Sequence, residues 1–375
     1  MSLVSGRYRF LVIRWRKGTV ESVRREWPGA VELDVTIRDD GTHPAPACRA
    51  LAYPALVGRP EPGDTVLLNT TALAMGLGTG GYAMVVAVPD RLPPDPSGPG
   101  HLVKARYTPL QATVLGADEQ DSPHHALLRE ADSLDGAPVI VADLHSALPP
   151  ILAGLLAARP GTRAVYVMPD GGALPAWFSM SIARLREAGA LAATVTVGQA
   201  FGGDLEAVTV HTGLLAARLV LDAEVIIVAQ GPGNLGTGTR WGFSGVSAGE
   251  AVNAAAVLSG RPVGSLRVSD GDKRERHIGV SHHSLTAYGR VALARAQIAV
   301  PELGGEFGAR VAGEAASLGD RHELVPVTVD GLREALSAAE QEWGVRLSTM
   351  GRRLDEDLPY FLTAAAAGRH TATLL

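Results

Sequence analysis

A chain of 375 residues, 46% hydrophobic and 19% charged, is too long for one small core and too apolar for disorder, so two domains are expected. Its formal charge of −5 gives no electrostatic reason to expect nucleic acid or an anionic membrane as partner. A lone cysteine, Cys48, excludes an intramolecular disulfide framework and any cysteine-rich zinc site, and reads as a small apolar residue.

The N-terminal "MSLVSGRYRFLVIRWRKG" has only a short apolar run, Phe10 to Ile13, where a secretory segment needs about 7–15 residues. No apolar run approaches the roughly 18 residues of a membrane span. A cytoplasmic protein is expected. Next come "GTVESV", "AVELDVTI", "ACRALAY", "DTVLLNTT" and "YAMVVAV", short and rich in β-branched residues between Gly, Pro and Asp turns. They predict a small barrel or sandwich. The proline-rich linker "PDRLPPDPSGPG" follows, and "HLVKARYTPLQATVLG" reads as one further strand. An all-β domain is therefore expected over 1–115, with a polar connecting segment over 116–136. In that segment Ser122 reads as a helix N-cap beside a solvated His124 and His125.

From residue 137 to 375 apolar strands alternate with alanine-rich helices, predicting an α/β domain: a mostly parallel sheet covered by helices, with a helical C-terminal region. The strands are "PVIVADLH", "AVYVMPDGG", "AATVTVG", "EVIIVAQGPG" and "RPVGSLRVSDGD", with "AQIAVPEL" and "ELVPVTV" strand-like further on. "LEAVTVHTGLLAARLVL" reads as a helix with His211 packed in it, and Ser247 with Glu250 as a capping box.

Ligands of open parallel sheets bind beyond the carboxyl ends of the strands. Here those ends read "ADLHS", "MPDGG", "GQAFGGD", "AQGPGNLGTGT" and "VSDGDKRERH", all polar or glycine-rich, whereas "ARPGT", "REAGA" and "SGRP" on the other side are ordinary helix stops. This asymmetry places His145, Asp170, Asp204, Asn234, Thr237 and Asp272 on one edge, lining a shared pocket. In the loop "GPGNLGTGTRWGFSG", Gly231, Gly233 and Gly236 match G-x-G-x-x-G, but no helix begins within them and no lysine follows, which rejects dinucleotide and Walker loops. Backbone amides freed by Gly231, Gly233, Gly236 and Gly238, with Thr237 and Thr239 as donors, suit an anion; a surface loop or lid, with Trp241 as cover, is the equal alternative.

The stretch "DGDKRERHIGVSHHSLT" gathers His277, His282 and His283 near Asp272, Lys273 and Ser281. Its spacing is no recognised zinc motif. Imidazole and carboxylate together suit a divalent metal or acid–base work, so the cofactor is left as unknown with a divalent metal open. Lys273, Arg274 and Arg276 fit a clamp for phosphate or carboxylate, although only Lys17, Lys104 and Lys273 are lysines among 34 basic residues, so arginine clusters carry less weight. "ADLH" resembles the D-x-H of metallophosphoesterases, without that family's other motifs. Ser281 beside His282 is no dyad by sequence, and "GFSG" is no nucleophile elbow.

The set "LHSALPP", "YVMPDGGALP", "FGGDLEAV", "GPGNLGTGT…GFSG" and "RHIGVSHHSLT" resembles a bacterial group, domain of unknown function 3866, across most of the chain. The resemblance implies no activity and no residue role. On the residues alone, the expectation is an enzyme, with hydrolysis as the reaction type, acting on a small anionic molecule. Its acid–base or metal residues would be His145, Asp170, Asp272, His277, His282 and His283. The alternative is a non-catalytic metabolite sensor using the same pocket. A small-molecule ligand is the expected partner, with no nucleic acid or membrane, and a homo-oligomer is left open.

Overall fold

The computed structural model describes residues 12–38, 47–78 and 80–375. The reading of residues 1–18 as free of a secretory segment falls mostly outside these ranges. The described chain divides into two compact units, 1–97 and 98–375.

In the first unit β1 (Trp15–Trp27), β2 (Ala30–Arg38), β3 (Ala47–Ala52), β4 (Thr65–Asn69) and β5 (Tyr82–Ala87) close into a barrel of order β1-β2-β3-β5-β4. The pairings are antiparallel except β3 with β5. Two irregularities in β1, at Val20/Ser22 and Val23/Arg25, bend the long strand so that it pairs with both β2 and β4. Val20, Leu33, Val35, Val66, Leu68 and Val85 fill the interior. Short helices α1 (Pro54–Val57) and α2 (Thr71–Ala74) sit in the connections.

The second unit begins earlier than the composition suggests. Residues 98–115 belong to it, and they form an antiparallel pair, β6 (Leu102–Lys104) with β7 (Ala112–Val114), instead of one strand. Lys104 is the reason. Its fully buried ammonium donates to the carbonyls of Gly198 (3.0 Å), Ala200 (2.8 Å) and Ala207 (3.1 Å), and lies 3.3 Å from Glu206. After α3 (His125–Leu128) the strands and helices alternate: β8 (Pro138–Ala142), α4 (Leu148–Ala158), β9 (Ala164–Met168), α5 (Met180–Glu187), β10 (Ala193–Val197), β11 (Leu205–Ala207), α6 (Val210–Leu219), β12 (Val225–Ala229), α7 (Ser247–Val257) and β13 (Arg261–Ser265). A small hairpin, β14 (Val268–Ser269) with β15 (Gly279–Val280), leads to α8 (His282–Thr286), then β16 (Gln297–Glu302), α9 (Gly305–Ala315), β17 (Glu323–Thr328), α10 (Leu332–Trp343) and α11 (Leu358–Ala372). The eight-stranded sheet, order β11-β10-β9-β12-β8-β13-β16-β17, is parallel throughout. One face packs on α4, α5, α10 and α11, the other on α6, α7 and α9.

Three local expectations are corrected. Leu205–Ala207 is a strand, because Glu206 accepts from Thr196 Oγ1 and Gly202 N; the helix starts at Val210, where the Thr209 hydroxyl caps Thr212 N, and His211 is exposed. Ser247 and Glu250 form no capping box: a 3-10 turn, Ser244–Val246, runs into α7, and the Ser247 hydroxyl donates to Ser244 O. Ser122 lies before α3, its hydroxyl donating to Ala117 O, and His124 and His125 are half-buried, with His125 Nδ1 bonded to Asp118 O. Among the described residues no helix is long and apolar enough to cross a membrane.

The topology creates a switch point at β8. From β8 the chain leaves through α4 on one face toward β9, whereas from β13 it leaves through residues 287–292 on the other face toward β16. Connections that diverge from adjacent strands leave a crevice beyond their carboxyl ends. The Tyr288 hydroxyl sits between the two strands there, 2.7 Å from Val141 O and 3.0 Å from Ser265 O.

Candidate functional site

Two residues emerge at this crevice: Asp143 just after β8 and Arg267 just after β13. Both are buried. Arg267 N donates to Ser284 Oγ (2.8 Å) and its carbonyl accepts from Ser281 N (2.8 Å), which folds the β14–β15 hairpin back and sets α8 against the strand ends. Ser281 caps α8, its Oγ accepting from His283 N. Because His282 and His283 open a helix, their side chains project about 100° apart, not to opposite sides as in an extended segment. Both rings therefore meet His277, which a 3-10 turn (Glu275–His277) brings in from the hairpin.

The three imidazole centroids lie 5.0 Å (His277–His282), 4.8 Å (His277–His283) and 4.4 Å (His282–His283) apart. One ligand-capable nitrogen from each falls within 4.8 Å of the others. His277 Nδ1 is 2.7 Å from Ser281 Oγ, so the serine's imidazole partner is His277 and not His282. The Nε2 atoms of His277 and His282 are buried and have no hydrogen-bond partner among the described residues. His283 Nδ1 lies 3.3 Å from Arg267 Nη1 and 3.7 Å from Asp143 Oδ2, and that carboxylate oxygen is likewise without a hydrogen bond. Burial, then the Arg267 and Arg274 guanidiniums, push His277 down to about 2; burial, then His283 and Arg276, push His282 down to about 4. Both rings are therefore neutral near pH 7, with lone pairs available.

Asp272 has a different task. Its buried carboxylate accepts from Arg274 N, Nε and Nη2 (3.0, 2.9 and 2.8 Å) and faces Arg352 (3.3 Å) and Arg267 (3.5 Å). Burial alone would raise its pKa, but the bonds from Arg274 outweigh it and hold the group far below the ordinary carboxylate range. Asp272 thus anchors the hairpin, and Arg274, expected as part of an anion clamp, is committed to it. Lys273 is exposed.

The glycine loop contributes through its foot. Gly236 and Phe243 bridge, and Thr237 N bonds Gly242 O, while the Thr237 and Thr239 hydroxyls close the exposed tip internally. Phe243 lies flat on His283, centroids 3.8 Å apart and planes 4° apart. Gly231 serves packing: a Cβ at Gly172 would come within 2.2 Å of Gly231 O, so two strand-end loops touch through their backbones. Asn234 Oδ1 accepts from Gln230 Nε2 and Ser244 Oγ. Gly233 is an exposed turn residue. Gly238 reaches the wall of a cleft of about 650 Å³ that also holds Arg240, Arg276, Arg290, Thr286 and His282. None of these three exposed arginines is ion-paired among the described residues. A second cleft, about 590 Å³, opens at the amino ends of β9 and β10, but its Arg186 and Arg163 are bound to Asp204 and Leu221 O.

The remaining expected residues separate. His145 Nε2 bonds Ser179 Oγ (2.7 Å) and Nδ1 bonds Tyr166 Oη (3.2 Å), making it a fully hydrogen-bonded node. Exposed Asp170 accepts from Gln199 N. Asp204 lies at the other edge of the sheet, where it accepts from Thr194 N and Oγ1, because 199–203 run back along β10 before β11. Trp177 packs edge-on to Phe201, and Trp241 is exposed. Asp143, Arg267, Phe243, Arg240 and Arg290 join the site without a sequence pattern that marks them. The one local signal is "ADLH", which holds Asp143 directly after β8; the arginines are hidden among the many of an arginine-rich chain.

No curated protein matches the chain. The profile of the family described as "Protein of unknown function (DUF3866)" matches residues 49–368, from within β3 to within α11, and the chain accordingly belongs to that family.

Proposed function

We propose that the chain is an enzyme acting on a small anionic molecule, with hydrolysis as the reaction. The observation that carries it is the position of His282, which belongs to the imidazole trio and also lines the arginine-bearing cleft. Arg240, Arg276 and Arg290 are forked donors suited to a phosphate or carboxylate. The cleft volume is in the range of small-molecule sites, roughly 300–1,000 Å³. The bound group would lie beside the trio, which would act on water there. Location in the cytoplasm of a bacterium is part of the same proposal and rests on the sequence.

The test is a panel of phosphate- and carboxylate-bearing esters and anhydrides assayed with wild type and with Arg276→Ala/Arg290→Ala. Turnover of at least one compound, lost in the double variant, is expected. Absence of both turnover and anion binding across the panel sinks the reading. That only His282 of the trio lines the cleft favours, as a second reading, a metabolite sensor; saturable binding without turnover would select it.

A further inference from the structure

We infer that His277, His282 and His283, backed by Asp143, bind a transition-metal dication of the zinc type. The inference deepens the proposed function by giving the trio its chemistry, and depends on it only for the catalytic use of the metal.

The geometry supplies the first argument. Three imidazole nitrogens within 4.8 Å of one another surround one point. Zinc–imidazole bonds of about 2.0–2.1 Å put nitrogens on one ion on the order of 3–4 Å apart. Closing that gap takes a small ring rotation, and His282, the half-buried member at the cleft, is the ring with room to make it. The spacing His277, His282, His283 matches no linear motif because the ligands come from a 3-10 turn and the first turn of a helix.

Polar satisfaction supplies the second. The Nε2 atoms of His277 and His282 and Oδ2 of Asp143 are buried without hydrogen-bond partners among the described residues. Native interiors keep few such groups, and two of these, Nε2 of His277 and of His282, sit on rings whose centroids are 5.0 Å apart, a pair that calls for an occupant. Around it, Ser281 Oγ holds His277 Nδ1, a hydrogen bond to the second ring nitrogen of the kind that orients metal-bound histidines, and Phe243 packs face-on against His283.

The tautomer of His283 links Asp143 to the ion. Nδ1 has two neighbours: Arg267 Nη1 at 3.3 Å, which can only donate, and Asp143 Oδ2 at 3.7 Å, which can only accept. A bare Nδ1 takes the arginine; a protonated Nδ1 turns to the carboxylate. Metal on Nε2 requires the proton on Nδ1 and so selects Asp143. Asp143 is a positioning residue, and three imidazoles leave a further coordination position for water or substrate. Three imidazoles without thiolate suit zinc, iron or copper over calcium or magnesium.

The experiment uses full-length protein stripped with chelator, then titrated with Zn²⁺ followed by calorimetry and elemental analysis, and with Co²⁺ followed by visible absorption. One equivalent per chain is expected, with a cobalt spectrum typical of imidazole ligation. His282→Ala should weaken zinc by at least 100-fold and Asp143→Asn by about 10–100-fold, while exposed His211→Ala should change nothing. If wild type holds no zinc, only water filling the site, or if His282→Ala binds as tightly as wild type, the inference is overturned. The cobalt spectrum of wild type decides the matter even where a variant fails to fold. Inorganic phosphate titrated into the stripped protein, with and without Arg276→Ala, reports on the anion cleft separately, so either proposal can fail alone.

Discussion

Phe243 lies flat on His283, with ring centroids 3.8 Å apart and planes 4° apart. One contact thus joins the foot of the glycine loop to the imidazole trio. Phe243 is buried, so Phe243→Ala removes both a core ring and the support behind His283. Truncations of this kind cost about 3–5 kcal/mol. Urea denaturation should show a loss of that order, and phosphate affinity should fall as the loop that carries Arg240 loses its footing on His283. A variant with unchanged stability would show that the stack holds nothing together.

Lys104 is the second test, because it ties the β6–β7 pair to the edge of the sheet. Lys104→Met leaves the carbonyls of Gly198, Ala200 and Ala207 and the carboxylate of Glu206 facing an apolar side chain. Removing one partner of a buried ion pair costs about 3–5 kcal/mol. Lys104→Met/Glu206→Gln should be more stable than Lys104→Met alone, since the second change removes the stranded charge while Thr196 keeps a partner. Denaturant midpoints of the two variants check the order.

The barrel strands are legible in the sequence because β-branched runs and Gly or Pro turns are local properties. So are the buried strands β8, β9, β10 and β12. Leu205–Ala207 is not, because its strand state depends on Glu206 reaching Thr196 and Gly202, contacts that no period in the sequence encodes. In the site, the local cluster of His277, His282 and His283 is visible, whereas Asp143 comes more than a hundred residues earlier and joins it only through β8 lying beside β13. Asp204 fails for the converse reason: a polar residue after a strand is placed at that strand's end unless the loop doubles back.

His322 gives a prediction in pH. Its Nδ1 accepts from Ala296 N (3.1 Å), so its Nε2 carries the proton and donates to Tyr288 O (2.8 Å). Burial, opposed by the Tyr288 bond and aided by Arg321 and Arg295, lowers its pKa below 6.5. The folded state therefore prefers the neutral ring: the stability is fully present above pH 6.5 and is lost as pH falls from there toward the folded pKa. His322→Gln keeps a donor for Tyr288 and cannot titrate. It should be less stable than wild type near neutrality but lose less on acidification from about pH 7 to 5. Parallel pH slopes for the two proteins would refute the assignment.

Gly154 and Gly368 set how closely α4 and α11 approach. A Cβ on Gly154 would stand 1.9 Å from Ala365 O, and one on Gly368 would stand 1.9 Å from Ile151 O. Both obstacles are helix backbone, which cannot rotate away as a side chain does. Alanine at either position gains about 1 kcal/mol of helix propensity. Overpacking costs about 1–3 kcal/mol, and more when a backbone must move. The two helices share one core with Ile151, Leu155, Phe361 and Leu362, so displacing them makes the second effect the larger. Gly154→Ala and Gly368→Ala are each expected to destabilise by about 1–2 kcal/mol net. The double variant should cost less than the sum, because the first substitution already separates the helices. Gly313, in the last turn of α9 where the chain runs on into the 3-10 turn Ala316–Leu318, has nothing within 4 Å of its ideal Cβ and is the control. Gly313→Ala meets only the propensity gain and should stabilise by about 0.5–1 kcal/mol. Opposite signs at Gly154 and Gly313 in urea midpoints would separate close approach from helix propensity within one protein, and equal signs would remove close packing as the reason for glycine at Gly154.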